Sequence, residues 1–210
     1  MITAVRNSYP FRILSLVRAL VRWGSCGFSA PSPHFVKQVC LLRNGIENAT
    51  WVETGTYLGQ TTQLLSQHGA YVYSIEPEAT LFAKAKKYFD KFDNVEILNG
   101  PSEQVLPLLL PKIQGDVNFW LDGHYSAGLT FKGKQDTPIL DELSIIGENL
   151  THFSRVRILI DDIRCFNPKL PEYSTYPPID AIVDWARKYR LDWHIEHDIF
   201  VAQNYVSVTA

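Results

Sequence analysis

The chain has 210 residues, 46% of them hydrophobic and 20% charged, with a formal charge of -2 at pH 7. That length fills one core and stays near the size at which chains divide, while the weak negative charge gives no electrostatic footprint for nucleic acid. Three cysteines, Cys26, Cys40 and Cys165, form an odd set without a C-x-x-C pair, which argues against a disulfide framework or a thiolate zinc site and points to a reducing, cytoplasmic setting.

The chain opens with an amphipathic basic stretch, Phe11 to Trp23, interrupted by Arg12, Arg18 and Arg22 and preceded by Arg6. It is too short and too charged for a bilayer span, which needs about 20 mostly apolar residues. A helix packed on its own domain, or pairing two copies into a homodimer, is the preferred reading; a membrane-surface helix, a targeting segment and a cover over the ligand pocket are the alternatives. Gly24 to Pro33, rich in Gly, Ser and Pro, reads as a hinge. Residues 1–33 are thus expected to be an arm and residues 34–210 the functional domain, entered through a helix over Phe35 to Arg43.

Trp51 to Gly59, W-V-E-T-G-T-Y-L-G, reads as a buried strand ending near Glu53, a glycine turn and a helix over Gln60 to Gln67. Glycines at 55 and 59 let a ligand approach the backbone. A second strand, Tyr71 to Ile75, ends in Glu76, where a carboxylate can accept both hydroxyls of a ribose. Such an acid serves both nicotinamide and S-adenosylmethionine sites. The turn separates them: a dinucleotide fold wants G-x-G-x-x-G, whereas here Thr56, Tyr57 and Leu58 part the two glycines. Glu53 in front of the turn would repel a diphosphate and attract an ammonium, as carried by the methionine end of S-adenosylmethionine.

Further on, the apolar spacing predicts a helix over Ala79 to Phe92, a strand over Val95 to Leu98, a helix from Ser102 to Leu110 stopped by Pro111, and a strand from Val117 to Leu121 ending at Asp122. A helix over Pro138 to Leu150 and a strand from Val156 to Ile160 ending at Asp161 and Asp162 follow. Pro178 to Arg190 has acidic residues early and basic ones late, which suits a helix dipole. Strand-like runs over Leu191 to Gln203 and Tyr205 to Thr209, with no helix between them, require an antiparallel pairing. Together these predict an α/β fold: a doubly wound, mostly parallel Rossmann-like sheet of seven strands, with an antiparallel C-terminal strand, an N-terminal helical arm and ligands at the carboxyl ends of the strands. His194, Glu196, His197 and Asp198 are read as surface residues, because alternation splits them between faces.

From Thr50 to Phe166 the chain resembles the class I S-adenosylmethionine-dependent methyltransferases, and among them the metal-associated O-methyltransferases of catechol and macrocin type. Glu53, Gly55, Thr56, Tyr57 and Gly59 look like that family's cofactor turn, and Glu76 with Pro77 like its ribose acid. Asn99, Gly100 and Ser102, with Leu106 and Pro107, look like the segment flanking the adenine, and Asp122 is shared between cofactor and metal. The resemblance implies methyl transfer to a hydroxyl of a small molecule, with Asp122, Asp161 and Asp162 as ligands of Mg2+ or Mn2+. Catechol-type enzymes place a lysine base three residues after the first metal aspartate, and Tyr125 stands there instead. The alternatives are a nucleoside-binding sensor on the same fold and a nicotinamide oxidoreductase.

Read physically, three aspartates at one rim need a cation, a lysine or solvent to offset their repulsion, and an oxygen-rich set suits a hard cation able to lower the pKa of a substrate hydroxyl. His124 is the candidate base and Asp122 its catalytic neighbour. Two loops, Tyr125 to Thr137 and Asn167 to Pro178, are long enough to select the substrate.

Overall fold

Placement is described for residues 9–123 and 137–205 of a computed structural model, with side chains from residue 13 onward. The order of elements is α1 (Tyr9–Ser25), α2 (His34–Asn44), β1 (Thr50–Thr54), α3 (Gln60–Ser66), β2 (Tyr71–Glu76), α4 (Ala79–Phe89), β3 (Val95–Asn99), α5 (Ser102–Leu109), β4 (Gly115–Leu121), α6 (Ile139–Asn149), β5 (Phe153–Ile160), α7 (Ile179–Lys188), β6 (Asp192–Glu196) and β7 (Ile199–Gln203). Short 3-10 turns lie at Leu110–Lys112, Leu150–His152, Ile163–Cys165 and Pro171–Tyr173.

The strands form one sheet in the order β3-β2-β1-β4-β5-β7-β6. β1 through β5 run parallel, and β7 pairs antiparallel with both β5 and β6. The order reverses between β1 and β4, so the crevice for a ligand opens beyond Thr54 and Leu121. Side-chain alternation assigns the two faces. Val52, Phe119, Ile158 and Phe200 pack with Leu106 of α5, Leu143 and Ile146 of α6 and Ile182 of α7. Trp51, Val72, Trp120, Leu159 and Val201 pack with Cys40 and Leu41 of α2 and Leu65 of α3.

Two sequence expectations change here. The run Leu191 to Gln203 is not one strand but a hairpin, turned at His197 and Asp198, whose φ angles of 47 and 70 are both left-handed. It supplies both antiparallel pairings, and Val206 to Thr209 lie outside the described residues. Asp198 is not on the surface: it is 7% exposed and holds Arg164 through the backbone N–H and the guanidinium. Glu196 accepts from Asn44 at 3.0 Å and pairs with Arg43, tying the hairpin to α2.

Candidate functional site

The crevice is built by the carboxyl ends of β1, β2, β4 and β5, laced by backbone bonds: Asp122 N–H to Thr54 O at 3.1 Å and Asp161 N–H to Leu121 O at 3.1 Å. Gly55 has φ +98, and a Cβ there would meet Asp122 O at 2.8 Å. The first turn glycine therefore allows the β1 and β4 ends to touch. Gly59 has a different reason from the one its spacing suggested. It caps α3 with φ +75, and a Cβ there would strike the Phe89 ring at 2.7 Å, so packing of α3 against α4 explains it.

Glu76 lies where the sequence put it. Its two carboxylate oxygens accept the N–H groups of Tyr57 at 2.8 Å and Glu78 at 2.9 Å, and it is 4% exposed. Burial raises its pKa and those N–H groups draw it back. Pro77 follows it, half-buried, at the crevice edge. Thr56 bonds inward to the Ser74 hydroxyl at 2.6 Å, whereas the Tyr57 side chain is 49% exposed.

Glu53 does not face the turn. Strand β1 continues to Thr54, so Glu53 shares a face with Trp51 and is sealed beneath α3, where one oxygen accepts from Thr62 and Ser74, each at 2.5 Å, and Oε1 has no partner. Burial raises its pKa to about 8 against the pull of both hydroxyls. It is protonated at neutral pH and offers no charge to an ammonium. Glu142 of α6 is its counterpart on the opposite face: 1% exposed, raised by burial to about 7, with the Ser102 hydroxyl drawing it down. For both acids the folded state keeps a proton that the unfolded chain releases near the ordinary 4.5, so their stabilisation is complete below that pH and is lost as pH rises through about 7 to 8. The melting temperature of the wild type is expected to fall between pH 5 and pH 8.5, and that of Glu53→Gln to fall visibly less; parallel pH profiles for the two would disprove the buried-acid assignment.

The aspartate cluster is met by protein cations that sequence reasoning missed. Lys37 of α2 reaches Asp161 at 2.5 Å, pairs with Asp162 and lies 4.0 Å from Asp198, while Arg164 bridges Asp162 at 2.6 Å and Asp198. These charges raise the pKa of Lys37 against its burial. Asp161 is pushed upward by burial and by Asp122 and Asp162, with Lys37 opposing. In place of the expected metal triad of Asp122, Asp161 and Asp162, the Lys37 ammonium lies between Asp161 and Asp162, and a divalent ion ligated by both would have to displace it. Among the described residues no group of three or more His, Cys, Asp or Glu is arranged to hold one. Nothing in the sequence near β5 signals Lys37, which enters from 124 residues away.

His124 and nearly all of the loop Tyr125 to Thr137 lie outside the described residues. His34, at the start of α2, lies within electrostatic range of Asp122; burial lowers its pKa, with Asp122 opposing. A small pocket at the rim is lined by Gly123, Glu142, Asp161, Asp162, Phe166 and Tyr176. Into it faces Glu142, whose Oε1 has no hydrogen-bond partner, near Thr54 Oγ1, which also has none. Gly123 leaves the space: its missing Cβ would stand 3.4 Å from Glu142 Oε1 and 3.2 Å from Thr54 Oγ1. Of the second candidate loop, Asn167 to Pro178, Tyr176 is buried edge-on against Phe166, with ring centres 5.5 Å apart.

No protein-family model matches the chain, and no curated protein does. Solved structures do. Protein SMU.1697c of Streptococcus mutans, named as a methyltransferase and solved with S-adenosylhomocysteine, is 14% identical, with a TM-score of 0.50 over 83% of this chain and 98% of its own. The 23S rRNA methyltransferase ErmE is 10% identical, with a TM-score of 0.51 over 83% of this chain and 68% of its own. The chain shares the Rossmann-like fold of these two proteins. At such identities the likeness is one of architecture: a mostly parallel seven-stranded sheet closed by an antiparallel C-terminal strand.

Proposed function

We propose that the protein binds S-adenosylmethionine in the crevice between β1 and β4 and transfers its methyl group to a hydroxyl of a small molecule. The observation that carries this reading is Glu76: a carboxylate pinned by two backbone N–H groups at the end of β2, beside a left-handed glycine turn, with lone pairs left for two ribose hydroxyls. Bound there, the cofactor supplies an electrophilic methyl group. The chain's own contribution is placement of the acceptor in line with that methyl, which accounts for most of the rate such a site can provide.

In this reading the acceptor enters by the pocket of Gly123 and Tyr176, where Glu142 presents a buried oxygen without a partner. A hydroxyl bonded to Glu142 would satisfy the orphan oxygen and be fixed in direction. The base is an imidazole beside Asp122: His124 stands two residues along the chain, and His34, its pKa lowered, is neutral at pH 7 and able to accept a proton. Lys37 and Arg164 already balance the charge of Asp161 and Asp162 at the rim of the site.

S-adenosylhomocysteine is expected to raise the melting temperature, whereas NAD is expected to leave it in place; at about a hundred times its dissociation constant the ligand adds roughly 2.7 kcal/mol. Glu76→Ala should weaken that binding by about 1–3 kcal/mol through the lost ribose bonds. Stabilisation by NAD alone, or unchanged calorimetric affinity in Glu76→Ala, would remove the basis of this assignment.

A further inference from the structure

The helix α1 has no core of its own. Ile13, Leu14, Leu16, Val17, Leu20 and Val21 are between 42% and 66% exposed, an unbroken aliphatic surface on a helix of 17 residues. At 100° per residue these six side chains occupy one half of the circumference, while Ser15, Arg18 and Arg22 fall on the other half, exposed as well. A helix of that length gains little from backbone bonds alone, so its apolar half requires a covering phase.

Charge identifies that phase. Residues 1–33 contain Arg6, Arg12, Arg18 and Arg22 and no acidic residue; the rest of the chain holds the remaining 16 of 20 Lys and Arg and all 22 Asp and Glu. The chain is thus divided into an arm of +4 and a body of -6, a separation that its overall -2 conceals. Two like arms laid together would bring cationic helices side by side, and one partner helix seals a narrower seam than half a circumference. A flat anionic bilayer surface covers the whole apolar half at once and attracts the net positive charge of the arm. Past the helix, Phe28 is 64% exposed and sits edge-on to Trp23 at 5.1 Å, which adds an aromatic pair suited to the headgroup layer. Among the described residues no helix is long and apolar enough to cross a membrane.

We infer that α1 is a surface anchor that lies in the headgroup layer of an anionic lipid membrane, joined to the negatively charged body by the Gly24 to Pro33 segment and by the edge contact of Trp23 with His197, 5.7 Å between ring centres. The site on β1 and β4 plays no part in this binding.

The full-length chain is tested by sedimentation with vesicles of phosphatidylcholine alone or with phosphatidylglycerol at about a third of the lipid, with size-exclusion chromatography in parallel. The wild type should sediment with the anionic vesicles and be released by high salt. Arg18→Glu/Arg22→Glu should lower that partitioning at least roughly tenfold, and Val17→Glu/Leu20→Glu should abolish it. All four positions are exposed, so the melting temperature of the body should not move. Equal binding to neutral vesicles, or full binding by the arginine variant, would overturn the anionic surface. A wild type that ignores both vesicles and elutes as a dimer, which Val17→Glu/Leu20→Glu converts to a monomer, would overturn the membrane in favour of a second copy.

Discussion

Lys37→Met is expected to destabilise the protein by about 3–5 kcal/mol at neutral pH, the usual consequence of removing one partner from a buried ion pair. The lysine side chain is 11% exposed and its partners Asp161 and Asp198 are 8% and 1% exposed, so the carboxylates left behind have little water to turn to. For a chain of this size the loss corresponds to a fall of roughly 10 °C in melting temperature. Arg164 still faces Asp162 and Asp198, which leaves Asp161 as the acid without a cation. Its pKa, already raised by burial and by Asp122 and Asp162, rises further once Lys37 is gone. The variant should therefore recover stability as pH is lowered and Asp161 takes up a proton, and the gap to the wild type should narrow by pH 5. Thermal melts with and without Mn2+ complete the test. A variant as stable as the wild type at pH 7 would mean that Lys37 does not hold the cluster, and full rescue by Mn2+ would return the three aspartates to the role of metal ligands.

The contrast between Glu76 and Lys37 shows where sequence reading succeeds. Strands β1 to β5 were legible because each is a short apolar run closed by a turn residue, and the acids at their ends could be counted. The starts of β4 and β5 lie two and three residues earlier than the apolar runs suggest, since Asp116, Ser154 and Arg155 are polar residues at solvated strand beginnings. The face of Glu53 follows from alternation with Trp51 once the strand is known to reach Thr54; a strand end misplaced by one residue turned a sealed acid into an apparent ligand. The hairpin at His197 and Asp198 carries neither glycine nor asparagine, the residues that normally announce left-handed turns. Lys37, Asp198 and Glu142 depend on pairings between distant segments, and no local pattern encodes them.

Gly55→Ala is expected to separate the crevice from the rest of the fold. Its φ of +98 strains any side chain, at roughly 1–2 kcal/mol, and the added methyl would lie 2.8 Å from Asp122 O and 3.2 Å from Asp122 C. Those are backbone atoms at the end of β4 and cannot rotate aside, so overpacking adds about 1–3 kcal/mol more. Relief requires the β1 and β4 ends to part, which breaks the bond from Asp122 N–H to Thr54 O and displaces Gly123 from its place beside Glu142 and Thr54. The distant core of α5, α6 and α7 against the sheet is untouched, and the variant should fold with a lowered melting temperature. Calorimetry with S-adenosylhomocysteine should then show a larger loss of affinity than in Glu76→Ala, because the backbone that shapes the crevice moves and not just one ribose contact. Gly59→Ala provides the control: its methyl would meet the Phe89 ring, a side chain on α4, and is expected to lower stability while sparing ligand affinity. Equal affinity losses in the two glycine variants would show that the turn acts as a unit and that the β1–β4 contact has no separate role in binding.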